Sequence, residues 1–238
     1  MNKNREASAE GKGYQDYWEK NITEWGAFYL DISHGHERLH GPAWLNWIYK
    51  HTIVPVEAKL MAKRHELTTT FIRKNVKPGI VFADLGCGTG IFVLEALMQG
   101  ASKVHAVDFT SSALDTTRRL VEKHAPEKAA LIEYHKLDLQ ADKHPVSDVS
   151  ICVGVTPYIK NLDGFLSNAL ASTKLLFCQF SEPQHWANRL RLLVPFLNVR
   201  KLIFHSRGDV DAAIARLSAK RLEREDFATG FIDTIQKD

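Results

Sequence analysis

The strongest pattern in the chain lies between about residues 80 and 180, where short apolar runs of strand length alternate with longer segments whose apolar positions recur at helical spacing. Val81-Phe82-Ala83-Asp84-Leu85 predicts a strand, and Ile91-Phe92-Val93-Leu94-Glu95-Ala96-Leu97 predicts a helix soon after it. Residues 103–108, 130–136, 148–155 and 174–180 predict four more strands, with helices over 111–123 and 162–173. Nearly continuous apolar strands separated by helices imply right-handed crossovers and a mostly parallel sheet covered on both faces. Residues 222–228 and 231–236, with Thr229-Gly230 between them, predict a terminal hairpin that would supply an antiparallel edge. The expected class is α/β with a seven-stranded sheet.

The flanking segments have a different texture. Residues 1–13 are polar, charged and small, and predict a disordered tail. Residues 14–76 concentrate most of the tryptophans and tyrosines, with Trp44 and Trp47 at helical spacing. They predict an α-helical N-terminal cap, broken near Gly35 and at Gly41-Pro42, with a long helix over 56–74. A Trp44–Trp47 pair at that spacing is expected to pack between cap and sheet. Residues 77–238 then form the sheet domain, interrupted by an insertion over 181–207 whose Trp186, Leu190, Leu193 and Phe196 suggest an amphipathic helix. A further helix is expected from residue 208 to about 217.

Composition adds limits. With 238 residues, 45% of them hydrophobic, the chain can fill one large core. Lys and Arg number 31 against 28 Asp and Glu, intermixed along the sequence, so charge gives no argument for a nucleic-acid partner. Cys87, Cys152 and Cys178 lack metal-ligand spacing and are expected to be reduced core thiols, with no metal assigned. No apolar run approaches the roughly 20 residues of a membrane span, and the N-terminus lacks the apolar centre of a signal peptide. The expectation is a cytoplasmic protein, with peripheral membrane contact through aromatic segments left open.

The chemistry concentrates at Asp84-Leu85-Gly86-Cys87-Gly88-Thr89-Gly90, a tight turn between the first strand and its helix. Glycines there allow positive φ and let backbone amides approach a ligand at the helix start. The spacing is Gly-x-Gly-x-Gly, and Ile91 stands where the dinucleotide fingerprint has its third glycine, which disfavours NAD. Asp84, Asp108 and Asp138 fall at the ends of three successive strands, where an open α/β sheet binds ligands. Asp108 is placed to accept from two ribose hydroxyls. Asp84 can organise the turn and hold an amino group, and Asp138 can accept from an adenine amino group between Phe109 and Leu139 as apolar walls.

In this order the turn, Asp108, Leu137-Asp138 and Val153-Gly154-Val155 resemble the class I S-adenosylmethionine-dependent methyltransferases over roughly residues 80–180. The resemblance implies a Rossmann-like fold, S-adenosylmethionine as cofactor, and cofactor contacts from Asp84, Leu85, Gly86, Cys87, Gly88, Gly90, Asp108, Phe109, Asp138, Leu139, Val153 and Gly154. It also implies in-line transfer of a methyl group, where alignment and desolvation supply much of the rate and a base is needed only for a protonated nucleophile.

The acceptor end is less sharply drawn. Val155-Thr156-Pro157-Tyr158 stands where adenine-amino methylating enzymes carry an Asn or Asp, two prolines and an aromatic. Only Pro157 and Tyr158 fit, so a nucleic-acid base is disfavoured. Residues 202–210 look similar to the tail of small-molecule O-methyltransferases of the magnesium-protoporphyrin and ubiquinone type. The tetrapyrrole members have His-Tyr where this chain has Pro157-Tyr158, a departure that argues against a porphyrin. Tyr158 and His185 are the catalytic candidates. His34, His36, His40 and His205 also lie outside the nucleotide-binding core. Arg189, Arg191, Arg200, Lys201 and Arg207 hint at an anionic acceptor. The expected activity is O-methylation of a small polar or anionic metabolite, with N-methylation of RNA or protein, or cofactor binding without turnover, as alternatives.

Overall fold

A computed structural model describes residues 43–185, 188–189, 202–227 and 229–237. The elements are α1 (Ala43–Asn75), β1 (Val81–Leu85), α2 (Ile91–Met98), β2 (Lys103–Asp108), α3 (Ser111–His124), β3 (Ile132–Lys136), β4 (Ser147–Cys152), α4 (Leu162–Ser172), β5 (Thr173–Ser181), α5 (Arg207–Arg216), β6 (Ala219–Phe227) and β7 (Gly230–Lys237). Short 3-10 turns precede β3 (Pro126–Leu131) and follow β4 (Thr156–Tyr158). The strands form one sheet in the order β3-β2-β1-β4-β5-β7-β6. β3 to β5 are parallel, and β7 runs antiparallel to both β5 and β6. The chain moves outward from β1 to β3 and then returns to β4 beside β1, so the carboxyl ends of β1 and β4 flank the point where strand order reverses.

The central strands are buried from both faces because helices cover both. On one face Phe82, Val104, Ala106, Val149 and Phe177 pack with α2, α3 and the end of α1. On the other, Ala83, Leu85, Cys152, Leu176 and Cys178 pack with α4 and α5. α1 is anchored at its end: Ile72 and, just past the helix, Val76 are buried, the Phe71 ring stacks on Phe177 at 4.4 Å, and Arg73 Nε donates to Glu95 at 2.7 Å. Helix starts follow the expected chemistry. Thr110 caps α3 and Asn161 caps α4 through side-chain acceptors, and Ser206 with Asp209 makes a capping box on α5. The outer strand β6 presents Lys220, Arg221 and Glu223 to solvent, a charged edge that discourages further strand pairing.

Several boundaries differ from the sequence reading for local reasons. α1 starts at Ala43, directly after Pro42, and continues through Pro55. An internal proline forfeits one hydrogen bond without ending a helix that is held elsewhere. Trp47 is 62% exposed and stacks on His51 at 4.5 Å, so it is a surface residue and not part of a cap–sheet core. β3 begins only at Ile132 because Pro126 starts a 3-10 turn. β4 stops at Cys152 because Gly154, at φ +80°, turns the chain. All three cysteines are buried and free, with Cys152 beside Cys178 in the β4–β5 ladder. No helix among the described residues is long and apolar enough to cross a membrane. The tail over 1–13, His34, His36, His40, most of the 181–207 insertion and all of the cap before residue 43 lie outside the described residues.

Candidate active site

The loop after β1 is folded onto the end of β2. The amides of Gly86 and Cys87 both donate to the Val107 carbonyl, at 2.8 and 2.9 Å, and Gly90 N donates to the Cys87 carbonyl at 2.8 Å. Gly86 and Gly90 have φ of +95° and +82°. A Cβ on Gly86 would lie 2.1 Å from Val155 Cγ2, which shows how closely the turn sits against the loop after β4. α2 starts from Gly90 with no side-chain cap, so its first amides point into the turn available to a ligand.

Two buried carboxylates frame this turn. Asp108, 6% exposed, accepts from Gly88 N at 3.1 Å through Oδ2, and from Thr110 N and Thr110 Oγ1, each at 2.9 Å, through Oδ1. Burial raises its pKa, and these donors, with the Phe109 amide, oppose the rise. Asp84 is 1% exposed, and its Oδ2 is buried with no hydrogen-bond partner. Burial first, and the negative charge of Asp108 second, push the Asp84 carboxyl up to about 8. An orphaned buried acid is costly, and its retention beside a glycine turn points to a cationic or hydrogen-bond-donating ligand.

The Asp84 pKa has a consequence for stability. In the unfolded chain the carboxyl titrates near its ordinary value of roughly 4. The folded protein holds the proton up to about pH 8. The folded state therefore binds more protons across that window, so stability falls as pH rises from about 4 to about 8 and levels off above it. Asp84→Asn cannot ionise and should remove that part of the fall. Urea unfolding at pH 5 and pH 8 should show the variant gaining several kcal/mol on the wild type at the higher pH. Equal pH dependence in both proteins would refute the assignment.

The remaining candidates group differently. Leu85 is buried under the turn, and the Cys87 thiol is buried 3.5 Å from Thr117 Oγ1, its pKa pushed well up by burial. Phe109 is half-buried. Leu137 N donates to the Asp108 carbonyl at 3.0 Å, which brings the Asp138-Leu139 turn beside Asp108. Leu139 is buried, whereas Asp138 is exposed and its Oδ1 accepts from Gln140 N at 2.9 Å, capping its own turn. Val153 is half-buried, and Gly154 N donates to Gln179 Oε1 at 3.1 Å.

Arg64, on α1, reaches this loop. A Cβ on Gly154 would meet its Nη1 at 3.2 Å, and Tyr158 interacts with it electrostatically. Burial lowers the Arg64 pKa to about 10, which leaves it charged at neutral pH. Sequence reasoning missed Arg64 because it stands between Lys63 and His65 and reads as part of a solvated helix face. It also missed Gln179, whose only signal was a polar residue inside an apolar strand.

His185 lies on the turn after β5, its carbonyl accepting from Asn188 N and Arg189 N. His205 is buried, with Nε2 3.1 Å from the Ile159 carbonyl, so it is a structural residue. Arg207 donates to both oxygens of Glu182, at 3.0 and 3.2 Å, and to Asp226 at 2.8 Å. These pairings account for its charge without an acceptor.

Residues 83–174, which include the turn, Asp108 and the end of β4, match the family described as methyltransferase domain. Over this segment the chain is similar to methyltransferase domains. The surrounding fold is that of magnesium protoporphyrin IX methyltransferase from Synechocystis PCC 6803, solved with bound SAH. The TM-score is 0.71 at 14% identity, covering 96% of this chain and 100% of that one. Geranyl diphosphate C-methyltransferase from Streptomyces coelicolor, solved with Mg2+, geranyl diphosphate and S-adenosyl-L-homocysteine, gives a TM-score of 0.60 at 14% identity, covering 76% and 83%. In sequence, the ribosomal protein L11 methyltransferase of Acetivibrio thermocellus is 25% identical over 172 residues, covering 65% of this chain and 55% of its own length. The chain thus spans about half the length of the curated relatives it matches. The glycine turn and Asp108 both fall within the matched residues.

Proposed function

We propose that the chain binds S-adenosylmethionine and transfers its methyl group to oxygen on a small polar or anionic molecule. The observation that carries this reading is the pair of buried carboxylates, Asp84 and Asp108, around an uncapped helix start. S-adenosylmethionine would supply a methyl group on a sulfonium whose leaving group is a neutral thioether. The protein's part is binding, orientation and exclusion of water. Asp108, fixed by Gly88 and Thr110, presents a carboxylate suited to two vicinal ribose hydroxyls. Asp84 offers its unpartnered oxygen to the cofactor's amino group, directly or through water. Phe109 and Leu139 would wall the base, Asp138 would stand at its amino edge, and Val153 with Gly154 would border it from the end of β4.

Acceptor recognition falls to α1, the 3-10 turn with Tyr158, and the segment after β5. Arg64 beside Gly154 and Tyr158 puts a cation next to the loop after β4, which would suit a carboxylate or phosphate on the acceptor. Tyr158 would orient the nucleophile, and His185 would take its proton where the acceptor is a hydroxyl. A second reading, transfer to nitrogen on a protein, draws on relatives named ribosomal protein L11 methyltransferase.

Isothermal titration is expected to give stoichiometric binding of both S-adenosylmethionine and S-adenosylhomocysteine, and a folded sample that binds neither would overturn the donor assignment. Extracts incubated with the chain and methyl-labelled cofactor should place the label in an acidic small molecule. Label found only in protein would favour the second reading, and label found nowhere would favour a binding module without turnover.

A further inference from the structure

Among the described residues, one group of metal-ligating side chains stands outside the methyl-transfer site: His105 on β2 with Glu133 and His135 on β3. Parallel pairing sets His105 directly beside Glu133, and the two-residue spacing on β3 puts His135 on the same face. This is the sheet face of Val107, not the face carrying Val104 and Ala106. His105 Nδ1 lies 2.9 Å from His135 Nε2 and 3.4 Å from Glu133 Oε2, and His135 Nε2 lies 3.7 Å from the same oxygen. A point equidistant from these three atoms is about 2 Å from each, the bond length of a zinc ion to imidazole nitrogen or carboxylate oxygen.

The surroundings suit ligation. Burial is the largest effect lowering the pKa of both histidines, which favours the neutral ring that ligation requires. His105 is also hydrogen-bonded to the Val146 backbone, an outer partner that fixes its ring. Lys103 Nζ contacts Glu133 Oε1 at 2.6 Å, which orients the carboxylate and leaves Oε2 facing the two rings. The pair is surface-exposed, so Lys103 can withdraw at small cost. His105 is buried, His135 is half-buried and Glu133 is half-exposed, so an ion could enter from solvent and keep one open position.

We propose that His105, Glu133 and His135 form a binding site for a divalent late transition-metal ion of the zinc type. Its role is to clamp the edge strand β3 to β2. His105 precedes Asp108 by three residues along β2, or about 10 Å at the usual rise per residue, so the ion would not touch the transferring methyl group. This site stands independently of the proposed reaction.

The test uses the full chain, freed of metal by a chelator and then dialysed against Zn2+. The wild type should retain about one zinc per chain by elemental analysis, with micromolar or tighter affinity, and its thermal midpoint should rise with Zn2+. Glu133→Gln and His135→Asn, both at accessible positions, should each weaken binding at least about tenfold, and the double variant should lose the thermal shift. The proposal fails if the wild type binds no zinc at about 100 μM. It also fails if the double variant, still cooperative in unfolding, keeps the wild-type stoichiometry and affinity.

Discussion

Asp108→Ala is expected to weaken binding of S-adenosylmethionine at least about 100-fold while leaving a folded protein. Hydrogen bonds to a charged acceptor are each worth roughly 1.5 to 3 kcal/mol, and a carboxylate holding two ribose hydroxyls loses both at once. The wild-type side chain also accepts from Gly88 N, Thr110 N and Thr110 Oγ1. Truncation strands those donors in a buried place, so the glycine turn loses its tie to β2 at the same time as the ligand loses its anchor. Asp108→Asn keeps one acceptor oxygen and should fall between the two. Titration calorimetry with S-adenosylhomocysteine avoids turnover and reads the ratio directly. An alanine variant that binds like the wild type would remove Asp108 from the site.

Gly90→Ala should destabilise the domain strongly and disturb the donor turn with a single methyl group. At φ +82° the backbone is left-handed, which costs an L-residue about 1 to 2 kcal/mol. The new Cβ would also sit 2.7 Å from both Thr117 Cγ2 and Thr117 Oγ1 and 2.8 Å from Thr117 Cα. Forced overpacking of that kind adds roughly 1 to 3 kcal/mol. The sum, on the order of 2 to 5 kcal/mol, should appear as a lower urea midpoint, together with loss of cofactor binding because the first turn of α2 must shift. Thr117→Ala in the same chain removes the two side-chain clashes but not the α3 backbone atom, so rescue should be partial. Full recovery of stability would mean that α2 and α3 separate more easily than their packing suggests.

Much of this fold was legible in the sequence because buried parallel strands have no polar face to confuse their reading. Val81–Leu85 and Lys103–Asp108 are almost wholly enclosed, and their apolar runs betray it. The residues proposed for the donor site are marked in the sequence for a related reason: glycines at positive φ and acids at strand ends recur at fixed spacing. What escaped depends on contacts distant in sequence. Arg64 reaches Gly154 across ninety residues, and nothing in its own neighbourhood distinguishes it from a solvated arginine. The His105–Glu133–His135 group exists only once β2 and β3 are in register. The Asp138 carboxylate also caps its own turn through Oδ1, a local preference of short acidic side chains that spacing along the chain does not reveal. Trp47 was misread because helical spacing of two aromatics fixes a shared face without fixing what lies against it.

The sheet's strand order also bears on how the protein reaches its folded state. β5, with Leu176, Phe177, Cys178 and Phe180 all buried, takes its second neighbour from β7, which leaves the ribosome about fifty residues later. Until then β5 is an apolar strand with an open row of backbone donors and acceptors, the kind of edge that recruits other nascent chains. Arrival of β7, followed outward by the charged β6, closes that window. Shortening the chain before Gly230 would therefore trade a folding defect for aggregation, even with every residue of the glycine turn in place.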